Sequence, residues 1–329
     1  MKLVLGFLIL VSMPGHVWAQ QAPCTVVGNV VRILLPQPWK PLLPDSPYAA
    51  FPLDVPERRL PAEAFIAHDG AFHHLPILSV QTDEGPRRIV LMVTFGPGWR
   101  EAAEHPERKA EGWLTPVLWM EPILSAPRAE DSFALLVVGG PRVQVPFASS
   151  RADLLRGVEA TLHPNPAAPD GPDLLDGLLQ AASWFGSPQT GDSIFEFGFV
   201  PHKHWDKARA SKVRTALVSK GIRLFSLGGA YFTEGTCSER WDCGSWESPF
   251  TVLCLETGGD WETIGYLGPR GHDEMLWELR NAAKSLYELA TFAYILRLPR
   301  TGPRVKIGLS LTALQGVRLY YPSPLPVCP

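Results

Sequence analysis

The densest grouping of side chains able to hold a metal or move a proton is His202-Lys203-His204, followed at once by Trp205 and Asp206. Two imidazoles spaced His-x-His can share a metal ion. No third ligand stands nearby at a standard spacing, so an exposed loop pair competes with a metal pair. Joined to Glu196 or Asp206, the same histidines would suit an envelope metal-dependent hydrolase. His73-His74 is weaker, because neighbouring residues of a strand point to opposite faces and cannot chelate together. The chain has no Gly-x-Ser-x-Gly elbow, His-Glu-x-x-His helix, phosphate loop or dinucleotide fingerprint. The expectation is therefore a non-catalytic protein without a cofactor.

Five cysteines remain to be placed: Cys24, Cys237, Cys243, Cys254 and Cys328. Their central Cys-x5-Cys-x10-Cys spacing matches no common zinc pattern, whereas an exported chain would oxidise such residues. Cys24 and Cys328 are candidates for a terminal staple, since the ends of compact domains often lie close together. Cys237 and Cys243 form the second candidate pair. Cys254, on what reads as an apolar strand, is left buried and free, or replaces either partner. The loop from Tyr231 to Phe250 carries Phe232, Trp241 and Trp246 beside two of these cysteines. Aromatics on a stapled loop suit recognition, or they simply cover a sheet edge.

The chain ends say where this would happen. Lys2, the apolar run Leu3 to Met13 and the small residues of Val17-Trp18-Ala19 follow the charged-apolar-small grammar of a signal peptide cut after Ala19. No later stretch is long and apolar enough for a transmembrane helix. The expected location is periplasmic or secreted, peripheral to a membrane at most. Net charge is −3 with both signs interspersed, which argues against a nucleic-acid partner and favours another protein. A hydrophobic content of 46% supports a substantial core, and the 33 prolines cluster between the periodic segments.

The elements fall into three parts after residues 1–19. Residues 20–85 read as a β-rich flank, with Val26 to Leu35, an irregular Pro36 to Pro61, and a hairpin from Ala64 through Asp69-Gly70 into a strand Phe72 to Val80. Residues 86–291 read as an α/β domain. Arg88 to Val93 and Asp131 to Val138 are continuous apolar strands of a buried parallel sheet, and Arg142 to Pro146 is a hairpin partner of the second. Ala152 to Ala160, Asp173 to Phe185, Lys207 to Lys220 and Asp273 to Ala290 have helical spacing, and 100–125 is an interrupted helical stretch. Ser193 to Phe197, Ile222 to Leu227 (ended by Gly228-Gly229) and Leu253 to Leu255 complete the strands. Residues 292–329 hold antiparallel strands Phe292 to Leu298 and Val305 to Leu311, then a Pro-rich tail. The fold class is α/β, a doubly wound and mostly parallel sheet with helices on both faces, plus a small β-subdomain built from the two flanks.

In order, these landmarks resemble the von Willebrand factor A (VWA)-related proteins exported by bacteria. Phe65 to Gly70 is similar to the hairpin before the domain, and Ile89 to Gly98 stands where the first strand and metal loop belong. Asp131 to Val137, Ser149 to Glu159, Gly171 to Leu178 and Val213 to Leu227 resemble successive strand and helix starts. Glu256-Thr257-Gly258-Gly259 and Tyr294-Ile295-Leu296 resemble the approach to the last helix and to the C-terminal flank. The resemblance spans roughly residues 60–322.

That family holds a divalent cation on hard oxygens at the carboxyl ends of its strands. By resemblance the ligand positions fall on Val93, Phe95, Pro97, Pro172 and Phe197, none of which offers a suitable oxygen. Thr94, Glu196 and Asp173 are the nearest oxygens that could rebuild a site. The resemblance therefore implies a metal-free binding or scaffold module. Its contacts would come from Phe95, Trp99, His202, His204, Trp205, Trp241 and Trp246.

Overall fold

The computed structural model describes residues 24–33, 53–54, 62–69, 74–95, 100, 104, 120, 123–124, 128–147, 149–198, 206–231, 249–266, 281–284, 286–288, 290–291, 293–298, 307–311 and 317–320. Residues 1–19, Trp99, His202, His204, Trp205, Trp241, Trp246, Cys237, Cys243 and Cys328 lie outside them. So do most of the Pro36 to Pro61 stretch and part of the last helix.

The central sheet has six strands. They are β6 (Arg88–Thr94), β7 (Ser132–Val138), β8 (Gln144–Val145), β9 (Ser193–Gly198), β10 (Arg223–Tyr231) and β11 (Trp261–Tyr266), in the spatial order β11-β10-β9-β6-β7-β8. Every pairing is parallel except β7 with β8, which is the expected hairpin. Strands buried on both faces need unbroken apolar runs, and β6, β7 and β9 supply them. Of the seven residues of β6, six are fully buried, and all six of β9 are.

Helices cover both faces. α1 (Arg151–Leu162) starts at Ser150, whose side chain accepts from the Asp153 N–H while Asp153 answers with a bond from the Ser150 N–H. α2 (Leu174–Trp184) starts at Asp173, and α3 (Lys207–Ser219) starts at Asp206. Gly221, at φ +65, ends the turn after α3. One core layer joins Ile89, Leu91, Val93, Phe195, Phe197, Phe225 and Leu227 to α1 and to Ala283, Leu286, Tyr287 and Ala290 of the last helix. The other joins Val90, Met92, Leu136, Ile194 and Leu224 to α2, α3 and α4 (Pro249–Glu256). Strand alternation alone divides the residues between the layers.

The flanks close two further sheets. β1 (Cys24–Ile33) pairs with β12 (Ala293–Leu298), β14 (Val317–Tyr320) and the short β2 (Leu53–Asp54), and β12 also pairs with β5 (Ser79–Asp83). β13 (Ile307–Leu311), β3 (Phe65–Asp69) and β4 (His74–Leu75) form the third sheet. Strands from both ends of the chain thus build the subdomain together.

Five expectations change. Leu253 to Leu255 is helical, inside α4. A short apolar run has no periodicity long enough to separate a buried strand from a buried helix, and Gly258 at φ +78 closes the helix with a backbone bond from Gly259 to Cys254. Gly228-Gly229 does not end β10: the ladder continues through both glycines to Tyr231, because β11 supplies Thr263 and Ile264 as partners. β11 itself was not among the expected strands. Phe72 to Val80 is split, with β4 and β5 going to different sheets around Pro76. β12 and β13 do not pair with each other, since both edges of β12 are taken by β1 and β5. Cys254 is free and fully buried, as expected, but on a helix.

The amino ends of the strands are fixed by a buried guanidinium. Arg87 Nε donates to Ala290 O at 3.0 Å, and Nη2 donates to Asp83 O at 2.7 Å and Thr291 O at 3.1 Å. Nη1 pairs with the Asp83 carboxylate at 3.1 Å. Arg87→Met keeps the apolar stem and deletes every donor. Losing one partner of a buried charge pair costs roughly 3–5 kcal/mol, so urea unfolding should show a loss of about that size.

Candidate functional site

From β6 the chain passes to β7 on one side of the sheet and then to β9 on the other. The strand order therefore reverses between β6 and β9, and open α/β sheets bind ligands in the crevice at that point. The two strands run in register, with Val93 opposite Phe197 and Thr94 opposite Gly198. Val93 and Phe197 point into the core layer of the last helix, and neither is exposed at all. Phe197 lies 6.3 Å from the Phe195 ring, which stacks in turn on Phe225 at 5.0 Å. An aromatic ladder thus fills the space beneath the crevice.

The rim toward β7 is closed by backbone. Phe95 N–H donates to Val138 O at 2.9 Å, Gly139 N–H to Pro172 O at 2.8 Å, and Gly171 N–H to Gly140 O at 2.7 Å. The Phe95 ring lies on Gly140, where a Cβ would stand 2.6 Å from its Cγ. Phe95, one of the expected contact residues, is half-buried and packed on the core. Gly198, at φ +146, turns β9 so close to β6 that a Cβ would collide with Thr94 O. Pro97 lies outside the described residues.

The carboxylates of Asp173 and Asp206 are engaged elsewhere. Asp173 is exposed and caps α2, accepting from the Asp176 N–H at 3.0 Å. Arg209 Nη2 reaches across from α3 to both Asp173 oxygens, at 2.6 and 2.8 Å, and to Asp176 at 2.8 Å. Partial burial works against the Asp173 anion, but Arg209 and the Asp176 N–H outweigh it and hold the carboxyl below the usual range. Asp206, a candidate partner of the histidines, spends its carboxylate on the Ala208 and Arg209 N–H groups at 2.9 and 3.1 Å. Among the described residues, no three His, Cys, Asp or Glu side chains come together as a metal group.

Glu196 lies on the opposite sheet face from Phe195 and Phe197, buried completely beneath α3 and α4. Ser226 Oγ, from β10, donates to its Oε2 at 2.6 Å. Burial pushes the carboxyl up to about 7, against the lowering effect of the Ser226 and Thr94 hydroxyls. Among the described residues, Glu196 Oε1 and Thr94 Oγ1 have no partner at hydrogen-bonding geometry. The sequence signal for this pair was a lone acid inside an apolar run, Ser193 to Gly198. Nothing in the sequence marks Ser226 as its partner. Phe250, read as a loop aromatic, is buried in the same layer.

In strand-number terms, the sheet is a doubly wound core with one short antiparallel strand at its edge and helices on both faces. The fold is VWA-like. No protein-family model matches the chain, and no curated protein matches it. Among solved structures it is similar to an aerotolerance-related membrane protein from Bacteroides fragilis, with 14% identity over 62% of this chain and 98% of that one, at a TM-score of 0.40. The BatB protein from Bacteroides thetaiotaomicron aligns with 14% identity over 61% and 98%, at 0.36. A von Willebrand factor type A protein from Catenulispora acidiphila aligns with 11% identity over 92% and 73%, at 0.39. The strand order, not these distant alignments, carries the architecture.

Phe197→Asp puts a carboxylate where the resemblance to VWA-related proteins implies a ligand. Here it would replace a fully buried ring by a charge in an apolar layer. Removing such a ring alone costs roughly 3–5 kcal/mol, and the buried carboxyl adds to that. The expected outcome, read by circular dichroism and urea unfolding, is loss of cooperative folding with no rescue by Mg²⁺.

Proposed function

We propose that this chain is an exported binding or scaffold module whose VWA-like domain works without a metal ion and without catalysis. One observation supports this reading above the others. Val93 and Phe197 sit side by side where the resemblance calls for metal-binding groups, and both are sealed in the apolar core. A cation needs oxygens that replace its water shell, and this pair offers neither oxygens nor access. The near-neutral, mixed charge favours a protein partner of the envelope or extracellular space over nucleic acid. Among the described residues, no helix is long and apolar enough to cross a membrane. Contact through the segments holding Trp99, His202, His204, Trp205, Trp241 and Trp246 belongs to the same proposal.

Calorimetric titration of the purified protein with Mg²⁺ and Mn²⁺ tests it. The expected result is no saturable heat and a melting temperature unchanged by EDTA. Saturable binding would restore a cation-bridged mechanism and overturn the proposal. Binding that disappears in the double variant His202→Ala, His204→Ala would place the cation on the histidines and favour the hydrolase instead.

A further inference from the structure

We propose that His68 and His74 form a two-imidazole site for a divalent transition-metal ion of the Zn²⁺ or Cu²⁺ kind, on the open face of the flank sheet made by β13, β3 and β4. In the sequence the two stand on either side of Asp69-Gly70, with nothing to show that they meet. The structure makes them cross-strand partners. β3 and β4 pair antiparallel, with Ala67 opposite Leu75 and His68 opposite His74.

β3 is the middle strand of its sheet, and its side chains alternate between the two faces. Phe65 and Ala67 are buried, and the Phe65 ring meets Tyr294 of β12 at 5.2 Å. That face is the packed one. Ile66 and His68 fall on the other face, where both are half-buried, and His74 opposite His68 is exposed. Directly opposed residues of an antiparallel pair share a face, with Cβ atoms about 4.5–5.5 Å apart. The two imidazoles therefore stand side by side on the face that water reaches. On the far side of His68, β13 places Gly308 opposite it, so no side chain occupies that position.

Two rings at this spacing can converge on one ion, since a Zn–N bond is about 2.0–2.1 Å long. His73-His74 lacks this property, because neighbours on a strand point to opposite faces. His73 itself lies outside the described residues. Each imidazole has two nitrogens, so one can hold the ion while the other keeps a hydrogen bond to the protein, as metal-bound histidines do. Imidazole nitrogen selects Zn²⁺, Cu²⁺ and Ni²⁺, whereas Mg²⁺ and Ca²⁺ take oxygens and Mn²⁺ is the weakest of its series. Two protein ligands leave the remaining positions of a four-coordinate Zn²⁺ to water, so this is an open site rather than a closed structural one.

The site does not rest on the metal-free reading of the α/β crevice. It belongs to another sheet and to nitrogen-preferring ions, and that reading is tested with Mg²⁺ and Mn²⁺.

Calorimetric titration of the purified protein with Zn²⁺ tests the proposal on wild type, His68→Ala, His74→Ala and His73→Ala. Once one imidazole holds the ion, the second acts at high effective concentration, so losing either should weaken the site by about 10²-fold. The expected result is that His68→Ala and His74→Ala each show this loss and His73→Ala binds like wild type. Undiminished binding in either His68→Ala or His74→Ala would overturn the proposal. So would loss of the site in His73→Ala, or no Zn²⁺ binding by wild type. If a variant does not fold, NMR of wild type decides. Ring resonances of His68 and His74 that move together along one Zn²⁺ saturation curve support the site, and movement of only one, or of neither, overturns it.

Discussion

The buried guanidinium of Arg87 is the interaction on which the rest of the structure depends. The last helix must end against the amino edge of the sheet, where its final carbonyls have no partner within the helix. Arg87 supplies those partners at Ala290 and Thr291, and Arg223 adds a second donor to Ala290 O at 2.8 Å. Positive charge is also favoured at a helix carboxyl end. Asp83, on the last residue of β5, neutralises Arg87 and so ties the flank sheet to the α/β domain. Gly191, at φ +84, leaves room for the side chain, since a Cβ there would run into it. Nearby, Arg88 grips the buried Asp192 with two bonds at 2.6 and 2.8 Å, and Tyr287 donates to Asp131 at 2.7 Å. This end of the molecule is a dense polar layer.

The carboxyl end is the opposite. There Val93, Phe197 and Phe95 pack against the apolar core, glycines bring backbone into close approach, and Asp173 and Asp206 serve as helix caps. An open α/β sheet normally reserves this edge for ligands and leaves the amino edge to stability. Among the described residues, the buried ion pairs of Arg87 and Arg88 lie at the amino edge, and Val93 and Phe197 toward the carboxyl edge are buried in the apolar core. Fold alone never implies function.

Glu196 is the exception to that packing. The Ser226 hydroxyl of the neighbouring strand donates to its Oε2. A fully satisfied buried polar group fixes a single arrangement of its neighbours, whereas a half-satisfied one is a weak point.

Much of the architecture was legible in the residues alone. Continuous apolar runs announced β6 and β7, Ser150 and Asp173 announced the starts of α1 and α2, and Asp69-Gly70 announced the antiparallel pairing of β3 with β4. These signals are local, set by backbone preference and side-chain period. What the sequence could not decide was anything requiring two distant segments. Gly228-Gly229 reads as a turn until β11 lies beside it, and the apolar run in α4 reads as a strand until the sheet beneath it is complete. Pairing of β12 with β1 and β5 joins residues more than two hundred positions apart. The Glu196–Ser226 bond and the Arg87 contacts with the last helix are of the same kind. Hydrogen bonds across such separations follow from how layers stack, and only the tertiary structure determines that.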